Sequence, residues 1–192
     1  MGVRVVIGAI VSAVALLVWG FLFWVVLSAP GSAVRALPDE AAWMQALREQ
    51  LPASGSYVFP YPPRPKPGQE QGAELEAFRE RHSRGPVGLL AFNRDGADPL
   101  SPLTYLQGLL HFFVASLVAS LLLALAQPVL ESFGRRAAFV FGLGVFAALA
   151  VRPSDVIWWH LPWSQALHGA VYDGLTWLIG ALVLAAIVHP SR

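Results

Sequence analysis

The sequence predicts a mainly helical membrane protein: a four-transmembrane-helix bundle with a small extracytoplasmic α+β insert between helices 1 and 2. Three observations predict it. Four apolar runs stand out, Val5 to Leu27, Thr104 to Ala126, Ala137 to Val151 and Leu167 to Val188. The 192-residue chain is only 13% charged, against about 25% in soluble domains. The charges are also segregated. Ala29 to Leu103 holds eight of the 13 basic and nine of the 12 acidic residues, so that segment belongs in water. The division is an anchor helix at 1–28, an extracytoplasmic segment at 29–102, and a three-helix region at 103–192 with an interfacial Trp-rich loop at 152–167.

The bulk properties exclude several function classes. A formal net charge of +1 offers no basic face for nucleic acid. The absence of cysteine removes disulfides, thiolate metal sites, Cys nucleophiles and covalent c-type haem. The partners expected are the lipid bilayer and other membrane-protein subunits or further copies of the chain.

Val5 to Leu27 is apolar apart from Gly8, Ser12 and Gly20. At 1.5 Å per residue it exceeds the roughly 30 Å hydrocarbon core. A secretory signal has an apolar region of only about 7–15 residues. The length therefore argues for an uncleaved anchor, although Gly31-Ser32-Ala33 resembles a cleavage site. Gly8 and Ser12 form a small-xxx-small pair that lets another helix approach.

Leu37 to Leu51 reads as a helix, with Pro38, Asp39 and Glu40 in its first turn. Ser56 to Phe59 reads as a strand closed by Pro60. The prolines at 62, 63, 65 and 67 make Tyr61 to Gly72 an extended loop. Glu74 to His82 reads as a charged helix, Pro86 to Phe92 as a second strand, and Asn93 to Asp98 as a turn. The strand–helix–strand order suggests a split βαβ unit. So small a strand pair is marginal alone, and the segment is expected to lean on the membrane region or on a partner.

Thr104, Gln107 and His111 share one face of the second span by helical steps of about 100°. The third run of fifteen residues reaches only about 22 Å before Arg152-Pro153 ends it. Ser154 to Ala166, with Trp158, Trp159, His160 and Trp163, reads as a connection lying at the headgroup level. In the fourth span Gly169, Asp173, Thr176 and Gly180 share a face. One side of the membrane receives Arg4, Arg135, Arg136 and Arg192, and the other receives Arg152 in a short loop. The positive-inside rule then puts both termini in the cytoplasm.

An acid in the last span and a histidine in the second are costly in lipid unless paired. Thr104, Gln107, His111, Asp173 and Thr176 are therefore the candidate intramembrane polar cluster, with a His111–Asp173 pair at its centre. Two uses are open. The pair could be a proton-linked or ligand site, since histidine titrates near neutrality, or it could simply lock span two to span four. Tyr57, Phe59 and Tyr61, with Trp158, Trp159 and Trp163, are the candidate docking surface; a core edge and an interfacial belt are the alternatives. No catalytic set, metal-ligand spacing or cofactor motif is present. The depths of His111 and His168 differ too much for a haem clamp.

The acidic helix opening Pro38-Asp39-Glu40-Ala41, the strands Ser56-Tyr57-Val58-Phe59-Pro60 and Gly85-Pro86-Val87, and the Trp-Trp-x-x-Pro loop form a recurring pattern. With the Asp in span four, this resembles a group of small bacterial four-span membrane proteins of no established activity. The resemblance implies topology and no catalysis. The function expected is a non-enzymatic accessory subunit or assembly factor of a larger bacterial inner-membrane complex. The alternative is a small oligomeric transporter or channel using Gln107, His111 and Asp173.

Overall fold

The structure, a computed structural model, describes residues 2–27, 34–64 and 72–189. The Gly31-Ser32-Ala33 sequence and the prolines at 65 and 67 lie outside the described residues. The elements run α1 (Gly2–Phe21, continued by a π-helical turn Leu22–Leu27), α2 (Glu40–Gln50), β1 (Gly55–Phe59), α3 (Gly72–Arg84), β2 (Gly88–Phe92), α4 (Pro102–Ala126), α5 (Phe133–Trp159) and α6 (Trp163–Ile187). Four of these helices are long and apolar enough to cross a membrane. The chain divides into two compact units, one of residues 1–35, 98–153 and 163–192, the other of 36–97 and 154–162.

In the first unit, α1 packs on both α4 and α6. Its buried residues, Val5, Gly8, Ala9, Ser12, Ala13 and Leu16, recur at three- and four-residue intervals, which draws one stripe along the helix. Most are small. A Cβ added at Gly8 would sit 2.9 Å from Val188 Cγ2, so the absence of a side chain there lets α1 meet the end of α6. Ser12 and Ser116 satisfy each other by a buried hydrogen bond of 3.0 Å between α1 and α4. Large apolar residues such as Ile7, Ile10, Leu106, Leu110, Phe146 and Leu149 point outward. Small residues inside and large apolar ones outside suit helices solvated by lipid.

The largest departure from the sequence expectation is α5. The third span does not stop at Arg152-Pro153; it continues through Pro153 to Trp159, making 27 residues. A proline deletes one backbone donor and bends a helix without necessarily ending it. The expected fifteen-residue span and the long interfacial connection both give way to this one helix. The connection is only His160–Pro162, and α6 begins at Trp163 rather than Leu167. His160 adopts a left-handed conformation, φ 57°. The Leu161 amide donates back to the Asp155 carbonyl at 3.2 Å, which closes the helix end.

In the second unit, Asp39 caps α2, its Oδ1 accepting from the Ala42 amide at 3.0 Å. This is the role its side chain suits best. At the other end, Arg94 donates to the carbonyls of Arg48 and Leu51, both at 2.7 Å, covering acceptors the helix leaves open. β1 and β2 pair antiparallel, with Tyr57 opposite Leu90. The expected βαβ unit is therefore corrected. A crossover of that kind makes strands parallel, whereas here the intervening chain with α3 simply returns to pair in the opposite sense. No residue of α2 or α3 is buried.

Candidate functional site

The polar site of the helical bundle is built on α5 and α6, which run antiparallel. Arg136, Gly144 and Arg152 recur every eight residues along α5, and each meets α6 at a matching step. The Arg136 Nε donates to the Ala185 carbonyl at 3.1 Å, covering an acceptor in the last turn of α6. Gly144 lies against Trp177; a Cβ there would fall 2.2 Å from its Cγ. The Arg152 guanidinium lies over Gly169 and closes on Asp173. Each step of eight turns a helix by about 80°, so the three contacts form a seam that winds around α5 instead of holding to one face.

At the seam's end, Arg152 and Asp173 make a bidentate pair. Nε donates to Oδ2 at 2.8 Å and Nη2 to Oδ1 at 3.0 Å, the fork geometry that arginine offers a carboxylate. Arg152 stands seven residues before the end of α5 and Asp173 ten after the start of α6. That is about 10–15 Å in from the turn joining them. The side chains are 33% and 22% exposed. They open into a cavity of about 370 Å³. Phe112 and Ala115 of α4, Ala147, Ala148 and Val151 of α5, and Trp177 of α6 give it apolar walls. His111, Tyr172 and Thr176 add polar groups. The Thr176 hydroxyl is engaged with the Tyr172 carbonyl at 2.7 Å, the back-bonding habit of threonine in helices.

This corrects the expected cluster. Asp173 is met by Arg152 of the third span, not by His111 of the second. Ending that span at Arg152-Pro153 removed from the bundle the side chain that pairs with the acid. His111, Asp173 and Thr176 do line one cavity, but Thr104 and Gln107 are exposed on the first turns of α4 and do not. His168 belongs elsewhere. Its ring packs 5.0 Å from Phe23 and 5.2 Å from Trp24, with Tyr172 completing the cluster. This cluster sits at the π-helical turn, where α1 widens.

The aromatic candidates separate as well. Phe59, Trp158 and Trp159 line a second cavity, of about 140 Å³, in the β-containing unit. Tyr57 instead donates its hydroxyl to the Ala53 carbonyl at 2.7 Å. Tyr61 accepts from Arg64 Nη2 at 3.1 Å. Trp163 is exposed at the start of α6. His82 and His160 line the same small cavity with their rings 5.1 Å apart. The sequence gives no sign of that meeting, because 78 residues separate the two.

In comparisons with known proteins, no family model, curated protein or solved structure matches the chain.

Proposed function

We propose that this is a non-enzymatic integral membrane protein, an accessory subunit or assembly factor of a larger complex in the bacterial inner membrane. The observation that carries the reading is the Arg152–Asp173 pair, which opens into a cavity walled by α4, α5 and α6. Ionised groups within a span are costly unless they face protein or water. A helix from another subunit laid over this opening would remove the pair from lipid. α5 agrees with that need, since only Arg136, Val140 and Gly144 of its 27 residues are buried. The small β-containing unit agrees too, because no residue of its two helices is fully buried and a strand pair alone is marginal.

Both termini are read as cytoplasmic and residues 29–102 as extracytoplasmic. The bias of Arg4, Arg135, Arg136 and Arg192 over Arg152 supports this orientation. Gentle detergent extraction should bring the protein out with a different membrane subunit in fixed stoichiometry. A monodisperse assembly of this chain alone would refute the reading.

The cavity itself supports a second reading, an oligomeric transporter or channel with His111 and Asp173 on its path. Under that reading Asp173→Asn abolishes flux in reconstituted vesicles while assembly persists. Under the first, the vesicles carry no flux to abolish.

A further inference from the structure

We propose that the cavity walled by α4, α5 and α6 binds a neutral membrane-soluble alcohol, an amphiphile with an uncharged hydroxyl head and an apolar chain. The inference rests on the reading of this bundle as lipid-embedded, and it names what fills the space beneath a covering helix. A volume of about 370 Å³ falls within the range of small-molecule sites, which are mostly apolar with a few convergent polar groups. One bridging water needs only about 10–15 Å³. Waters filling the remainder would face Phe112, Ala115, Ala148 and Val151, whose side chains offer no hydrogen bond. A run of methylenes suits those walls better.

The polar end of the cavity selects the head. Asp173 accepts one bond on each carboxylate oxygen, both from Arg152, at 2.8 and 3.0 Å. A carboxylate has about four acceptor positions, so each oxygen keeps capacity for a further donor. The Thr176 hydroxyl commits its proton to the Tyr172 carbonyl, which leaves its oxygen as an acceptor. His111 lines the same cavity from α4, and an imidazole donates or accepts through its ring nitrogens. A hydroxyl group, donor and acceptor at once, matches this set. Charge narrows the choice further. The Arg152–Asp173 pair is neutral as a unit. An anionic head gains Arg152 but opposes Asp173, a cationic head the reverse, and like charges close together in a poorly screened site are strongly unfavourable.

The cavity opens where α5 meets lipid. His111 and Ala147, which line it, are exposed, and Phe146 and Leu149 beside them on α5 face outward. A ligand dissolved in the bilayer therefore enters laterally, head first toward Asp173, and its chain runs out along the apolar walls.

The test is photolabelling of the purified full-length protein in phosphatidylcholine vesicles. Three hexadecyl amphiphiles share a diazirine on the chain and end in hydroxyl, sulfate or trimethylammonium. At equal membrane content the alcohol should label Phe112 and Trp177 at least about tenfold more than either ion, and unlabelled hexadecanol should displace it. Ala148→Leu fills the cavity while keeping the ion pair, and should abolish the labelling. Arg152→Gln should transfer the preference to trimethylammonium and Asp173→Asn to sulfate, with unchanged circular dichroism verifying the folds. A pair that only holds α5 to α6 gives no such opposite inversions. Equal labelling by the three heads, labelling that hexadecanol does not displace, or one unchanged preference in both charge variants overturns the proposal. Labelling is read on the purified chain, so it fails separately from the accessory-subunit reading, which is decided by what co-purifies.

Discussion

Arg152 and Asp173 are two residues whose meaning depends on each other. Removing one leaves a charge in a mostly apolar cavity, while removing both leaves none. Asp173→Ala or Arg152→Ala should lower stability in detergent by about 1–3 kcal/mol, the cost of an unpaired polar group, reduced by the pair's partial exposure. The double variant should be more stable than either single one. Thermal unfolding of the three would check this, and simple addition of the two single effects would argue against a direct pair. Gly144 makes a sharper steric statement. An alanine there meets Trp177 at 2.2 Å, so Gly144→Ala should destabilise by about 1–3 kcal/mol. Gly142→Ala, with open space around it, should be close to neutral. Equal melting curves for the two would remove the seam between α5 and α6.

At the scale of elements, the apolar runs were plain in the sequence because lipid imposes length and composition on every span. The interior stripe of α1 was legible from Gly8 and Ser12 for the same reason. What stayed hidden was the end of α5. Arg152-Pro153 carries both a charge and a proline, the usual marks of a helix end, yet the backbone continues to Trp159. Asp173 was visible as an acid needing a partner, but its partner lay on a residue read as loop. The β-containing unit was legible as helix, strand, helix and strand; its antiparallel pairing was not, since pairing sense depends on the path of the intervening chain. No residue of its two helices is fully buried, so a peptide of residues 36–97 should show no cooperative unfolding. A sharp thermal transition in that isolated segment would contradict this.

Within the helical unit many buried residues are small and many outward ones large and apolar, and Arg136 and Arg152 each meet polar partners among the helices. Arg136 is satisfied by the carbonyls of Ala185 and Glu131, and Arg152 by Asp173. Only the second opens onto a cavity large enough to matter for association. A covering helix is therefore sought over α4 and α5. The absence of native cysteine makes a single introduced thiol an unambiguous reporter. The most direct measurement is cross-linking in native membranes from Ala147→Cys, on the cavity wall, compared with Leu182→Cys on an exposed part of α6. The account predicts that the thiol at 147 captures one different membrane subunit in high yield and that the thiol at 182 does not. Equal yields from both positions, or capture of this same chain alone, would contradict it.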